Sequence, residues 1–158
     1  MSDLPFIDEH SRVVDAPVAA VWDALEFVVP GSFSGGASSR GAKALGCEQT
    51  ERSGEIGRAG STFPGFRVAR ATRDRELALE GRHRYSRYEL VFEIDDLGGG
   101  RSRLRGRTCA EFPKLRGRIY KALVIGTRGH VLVTNRLLAA VAKRAERTTE
   151  RPLAGEAA

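Results

Sequence analysis

The sequence predicts an α+β domain in which a curved antiparallel β-sheet wraps around one long C-terminal α-helix. Three observations predict it. Apolar residues recur at helical spacing from Leu115 to Arg147. The runs Glu76–His83, Arg87–Ile94 and Arg103–Phe112 alternate with a period of two. A first strand, Phe6–Val14, leads directly into a helix start at Asp15-Ala16-Pro17.

At about 100° per residue, Ile119, Tyr120, Leu123, Val124, Val131, Leu137, Leu138, Val141, Ala142 and Ala145 fall within an arc of about 140°. Arg118, Lys121, Arg128, Asn135, Arg136, Lys143, Glu146 and Arg147 fall on the opposite side. The phase holds across Gly126 and Gly129, which predicts one bent helix, although each glycine costs about 1 kcal/mol against alanine. From Ile119 to Arg147 such a helix spans roughly 40 Å. His130 and Thr134 interrupt the apolar stripe one turn apart. A polar group facing a dry core costs a few kcal/mol unless it is hydrogen-bonded. Either His130 bonds a backbone carbonyl or Thr134, or this face lines a cavity and His130 meets a ligand or water.

Composition bounds the rest. The chain has 158 residues, 41% of them hydrophobic, which suits one domain with a proper core. No apolar run approaches the ~18 residues of a membrane span. The acidic start MSDLPFIDEHSR is not a signal segment, and Cys47 and Cys109 are too few for a disulfide framework. These features predict a reduced, cytoplasmic protein with no metal site and no cofactor. The formal charge is +6 and the pI about 9.9. The basic residues are mostly Arg, interspersed with Glu and Asp, which fits a composition bias better than a nucleic-acid surface.

In chain order, Ile7 and Val13 share one face of the first strand, Phe6 and Val14 the other. In the helix that follows, Asp15 can cap, Pro17 is tolerated in the first turn, and Val18, Val21, Trp22 and Leu25 form the buried side, with core packing the expected role of Trp22. Pro30 to Ser61 carries eight glycines and many serines and reads as loop, with room for one short strand or helical turn. Gly36 to Lys43 only superficially resembles a phosphate-binding loop, because its Lys is displaced and no Ser or Thr follows it. Phe66–Thr72 is a strand with no clear buried face.

The alternating runs place Leu77, Leu79, Gly81, His83, Tyr88, Leu90, Phe92, Ile94, Leu104, Gly106, Thr108, Ala110 and Phe112 inward. Asp95 to Gly100 is the hairpin turn. On the outer face, Arg87, Glu89 and Glu93 can pair with Arg103, Arg105, Arg107 and Glu111 at about 0.2–1 kcal/mol each. Pro113 ends the last strand. Residues 148–158 are expected to be a flexible tail, leaving a core of 6–147 in a single domain. The inward set includes the small residues Gly81, Gly106, Thr108 and Ala110. Each large side chain omitted forgoes roughly 1.5–3 kcal/mol of burial, so their recurrence predicts a cavity between sheet and helix.

The segment SRVVDAPVAAVWDAL, the meander GFRVARATRDRELALEGRHRYSRYELVFEI and the long terminal helix together resemble the START-like, or SRPBCC, superfamily over about Phe6 to Arg147. The resemblance implies the helix-grip fold of lipid-transfer domains, polyketide cyclases and pollen allergens. It implies a pocket between sheet and long helix but no shared catalytic motif. Combined with the alternation, it places His83 and His130 in the pocket wall.

Two functions follow as expectations. One is a carrier or sensor of a small hydrophobic molecule such as a lipid, polyketide or aromatic metabolite. Its site would comprise Leu90, Phe92, Leu123 and Leu138 for affinity and His83, Tyr88, Tyr120, His130 and Thr134 for orientation. The other is a cyclase- or dehydratase-like enzyme with His83 or His130 as general acid/base and Tyr85, Tyr88 or Tyr120 holding an enolate oxygen. No paired carboxylates are expected inside, and Cys109 is expected to be inert on the outer face. A stripe of Ile125, Leu132 and Ala139 leaves a homodimer open.

Overall fold

The computed structural model describes residues 3–33, 36–113 and 129–150. The expected helical residues 115–128, including Tyr120, Leu123 and Ile125, lie outside the described residues, as does 151–158.

The chain forms β1 (Phe6–Val14), α1 (Val18–Phe33), α2 (Gly36–Leu45), β2 (Thr62–Phe63), β3 (Phe66–Thr72), β4 (Glu76–His83), β5 (Ser86–Gly98), β6 (Arg101–Glu111) and α3 (Gly129–Glu150). All six strands make one antiparallel sheet in the order β1-β6-β5-β4-β3-β2. With α3 packed against its inner face, this is the expected helix-grip arrangement. No helix among the described residues is long and apolar enough to cross a membrane.

The core lies where α1, α3 and the concave face meet. Val21, Trp22, Leu25 and Val29 of α1 pack with Leu137, Leu138, Val141, Ala142 and Ala145 of α3 and with Leu77, Leu79, Phe92 and Leu104 of the sheet. Trp22 is a core residue, as its helical spacing predicts, at 1% exposure. Ser102 closes the β1–α1 corner by donating to the Ala16 carbonyl at 2.7 Å.

The outer face carries the expected ion pairs: Arg87–Glu111 at 3.1 Å, Arg105–Glu93 at 3.3 Å and Arg107–Glu93 at 3.9 Å. Glu89 pairs elsewhere, with Arg70 of β3 at 3.4 Å. Ala78 and Val91, register partners on the same outer face, are nonetheless fully buried.

The structure moves the ends of β5, β6 and the last helix and corrects one large segment. β5 runs on to Gly98, so the turn narrows to Gly98-Gly99-Gly100, all with positive φ. The last helix continues to Glu150 and takes in the first three residues of the expected tail. The expected loop from Pro30 is helical over much of its length. α1 passes through Pro30 to Phe33, whose ring packs on Phe63 at 5.8 Å and Phe66 at 4.8 Å. That tertiary contact outweighs the local cost of proline and glycine.

α2 then ends in a Schellman motif. The Cys47 N–H donates to Ala42 O at 2.9 Å, the Gly46 N–H to Lys43 O at 3.1 Å, and Gly46 has φ of 71°. The signal for it lay in Ala42-Lys43-Ala44-Leu45, good helix formers followed by glycine. The abundance of glycine and serine around them masked it.

Candidate functional site

A cavity of about 630 Å³ opens between α2, the concave face and the first turns of α3, with mostly apolar walls. α1 contributes Phe33 and α2 contributes Gly41, Ala42 and Leu45. The sheet contributes Phe66, Tyr88, Leu90, Thr108 and Ala110, and α3 contributes His130, Val133 and Thr134. α2 is therefore the third wall, which the reading of 30–61 as loop missed.

Of the expected site residues, His83, Tyr88, Leu90, His130 and Thr134 line this cavity together. Phe92 and Leu138 do not. They are 0% and 1% exposed and belong to the packed core. The rationale from small residues also needs correction. A Cβ on Gly81 would lie 2.2 Å from Gly65 O and 2.4 Å from the Tyr88 ring, so the space there is already filled. A Cβ on Gly106 would meet Leu138 and Thr134 at 3.4 Å, so that glycine lets α3 approach the sheet. Thr108 and Ala110 are the small residues that face the hollow.

The polar groups of the wall are held by the protein itself. His83 ends β4, and its side chain braces the turn into β5. Its Nδ1 accepts the Tyr85 N–H at 3.1 Å, and its Nε2 is 3.0 Å from Ser86 Oγ. Burial lowers its pKa, so the ring is neutral at neutral pH. An accepting Nδ1 puts the ring proton on Nε2, where it is donated to Ser86. Both nitrogens are thus engaged in the turn, which removes His83 as a ready general base. Tyr88 donates its hydroxyl to Gly65 O at 2.6 Å, and its ring lies 5.5 Å from that of His83.

His130 Nε2 has a partner that the sequence did not suggest. That nitrogen sits 2.6 Å from Asp8 Oδ2 on β1. His10 Nε2 approaches the same oxygen at 3.2 Å, and Asp8 Oδ1 is buried without a hydrogen-bond partner among the described residues. Asp8 and His10 were missed because nothing local distinguishes a polar residue on an edge strand. The pairing of β1 with β6, together with α3 lying across that face, creates the contact.

The environments of both thiols favour the protonated form. Burial raises the pKa of Cys109 and, outweighing the opposing effect of the neighbouring Tyr88 hydroxyl, that of Cys47 in the cavity wall.

No protein-family profile matches the chain, and no curated protein matches it in sequence. Solved structures do. Truncated norcoclaurine synthase from Thalictrum flavum superposes with a TM-score of 0.56 at 14% identity, covering 96% of this chain and 99% of that one. The ZhuI aromatase/cyclase from Streptomyces sp. R1128 gives 0.57 at 17% identity, covering 95% and 98%. Protein CV1439 from Chromobacterium violaceum gives 0.55 at 14%, covering 90% and 99%. At these identities the likeness is one of fold. The curved six-stranded sheet gripping a C-terminal helix, matched over nearly the full length of each neighbour, gives this chain the helix-grip fold that those structures share.

Proposed function

We propose that the protein binds a small, predominantly apolar molecule in the cavity between α2, α3 and the sheet, as a carrier or sensor. The observation that carries this reading is the cavity itself, about 630 Å³ beside a core that is otherwise tightly filled. Ligand sites typically enclose about 300–1,000 Å³ of mostly apolar space with a few fixed polar groups. Phe33, Leu45, Phe66 and Leu90 supply apolar surface, and burial against them favours a ligand by roughly 25 cal/mol per Å². His83, Tyr88 and His130 are already anchored to protein partners, so they present a fixed polar pattern at little further entropic cost.

Ala110→Phe tests the site. The added ring projects into the hollow and should weaken an apolar fluorescent probe by at least about tenfold. The melting temperature should stay close to that of the parent protein. Undiminished probe binding in a folded variant would place the site elsewhere.

The His130–Asp8 pair favours a second reading, a cyclase- or dehydratase-like enzyme. A carboxylate at 2.6 Å fixes the orientation of the imidazole, as a general base requires. The aromatase/cyclase neighbour is consistent with such chemistry on this fold. The check is exchange of the α-proton of an enolisable β-diketone in heavy water, followed by NMR. His130→Ala should retain probe binding but lose exchange by about 10²–10⁴-fold. Exchange at parental rate in that variant would leave the binding reading alone.

A further inference from the structure

The large cavity is not the only hollow that His83 and Ser86 line. At the end of the sheet, around the turn between β4 and β5, a second hollow of about 370 Å³ takes its walls from the same two residues together with Arg82, Arg84, Arg87, Glu111 and Pro113. An apolar chamber and an arginine-lined one therefore share a wall. The charges there are unevenly matched. Arg82 has Glu48 at 3.6 Å, and Arg87 has Glu111 at 3.1 Å. Arg84 has no carboxylate within ion-pairing distance among the described residues. It sits at the tip of the turn, held there as its backbone N–H donates to Leu45 O at 3.3 Å. The Arg82 and Arg87 pairs are solvent-exposed and so weak enough to share their cations.

The shared wall also offers a directed donor. Ser86 is 3% exposed and accepts the His83 Nε2 proton, because His83 Nδ1 is occupied by the Tyr85 N–H. The hydroxyl hydrogen of Ser86 is then not needed by His83. It is available to an acceptor at the junction of the two hollows, and an anionic oxygen is the acceptor this setting favours. Hydrogen bonds to a charged acceptor are about twice as strong as neutral ones, and guanidinium groups match the geometry of carboxylate and phosphate.

We infer that the ligand is an anionic amphiphile, with its apolar body in the large cavity and a carboxylate or phosphate head at Ser86, within the field of Arg82, Arg84 and Arg87. This rests on the binding reading above and adds to it the polarity of one end of the ligand.

The test compares dodecanoate, dodecyl phosphate and dodecanol by displacement of a neutral fluorescent probe from the full chain at neutral pH. The anions should bind at least about tenfold more tightly than the alcohol, the size of one charge-assisted hydrogen bond. That advantage should shrink with added salt. It should also vanish in the Arg84→Gln/Ser86→Ala double variant, where the anions and dodecanol should bind with equal affinity. A preference between the two anions identifies the head group as carboxylate or phosphate. If dodecanol binds and neither anion binds more tightly, the inference is overturned while the binding reading stands. An advantage that survives in the double variant also overturns it, since the charge would then be recognised elsewhere. If dodecanol itself fails to displace the probe, the apolar cavity is not the site and the underlying reading fails.

Discussion

His83 shows how one side chain can be committed by its own turn. Its two nitrogens brace Tyr85 and Ser86, and burial holds its pKa below the ordinary value of 6.5. The sign of the consequence follows from linkage. The unfolded chain takes up a proton near pH 6.5, whereas the folded chain resists it to lower pH, so protonation favours unfolding. The contribution of His83 is complete above that value and declines as the pH falls from there towards its folded pKa. The melting temperature of the parent should therefore drop more steeply below about pH 6.5 than that of His83→Gln. Parallel profiles would show that the ring gains no neutrality from its site. Asp8 is committed in a different way, by distant neighbours. It faces imidazoles from its own strand and from α3, and it ties the sheet edge to the helix that lines the cavity.

Among the elements, α2 decides whether there is a site at all. It covers the concave face where α3 does not, and its Schellman end sets Cys47 and Leu45 into the wall. Gly41 lies in its middle, and a Cβ there would meet nothing within 4 Å. Gly41→Ala should therefore stabilise the protein by up to about 1 kcal/mol, through helix propensity alone. A lower melting temperature would mean that another part of the protein occupies the space beside α2. The strands behave differently. Their alternation held through β4, β5 and β6 because a sheet with one buried face ties the identity of each side chain to a period of two.

On the scale of the whole molecule, α3 divides its work along its length. Its first turns present His130, Val133 and Thr134 to the cavity, while Leu137, Leu138, Val141, Ala142 and Ala145 knit α1 to the sheet. Arg144 lies over the Phe27 ring at 3.4 Å and continues that contact at the surface. Stability and binding should separate accordingly. Leu138→Ala should cost about 2–5 kcal/mol, because Leu138 is fully enclosed. Val133→Ser, at a half-exposed cavity position, should weaken apolar probes with little change in stability. Thermal melts and probe titrations on the two variants check this, and a large loss of stability in Val133→Ser would contradict the division.

The sequence alone determined the curved antiparallel sheet, the bounds of β1, β3 and β4, the buried side of α1, the outer-face ion pairs and the inward phase of α3. All but the bounds of β3, whose buried face the sequence left open, are written in a repeat of two or about 3.6 residues, which burial against a single core imposes on neighbouring positions. Tertiary structure alone decided the path of 30–61, the filling of Gly81 and Gly106, the Asp8 partner of His130 and the transfer of Phe92 and Leu138 from cavity to core. These depend on which distant surfaces come together, and no local period encodes such a meeting. A cavity is the extreme case, because it is defined by the side chains that stop short of one another across the fold.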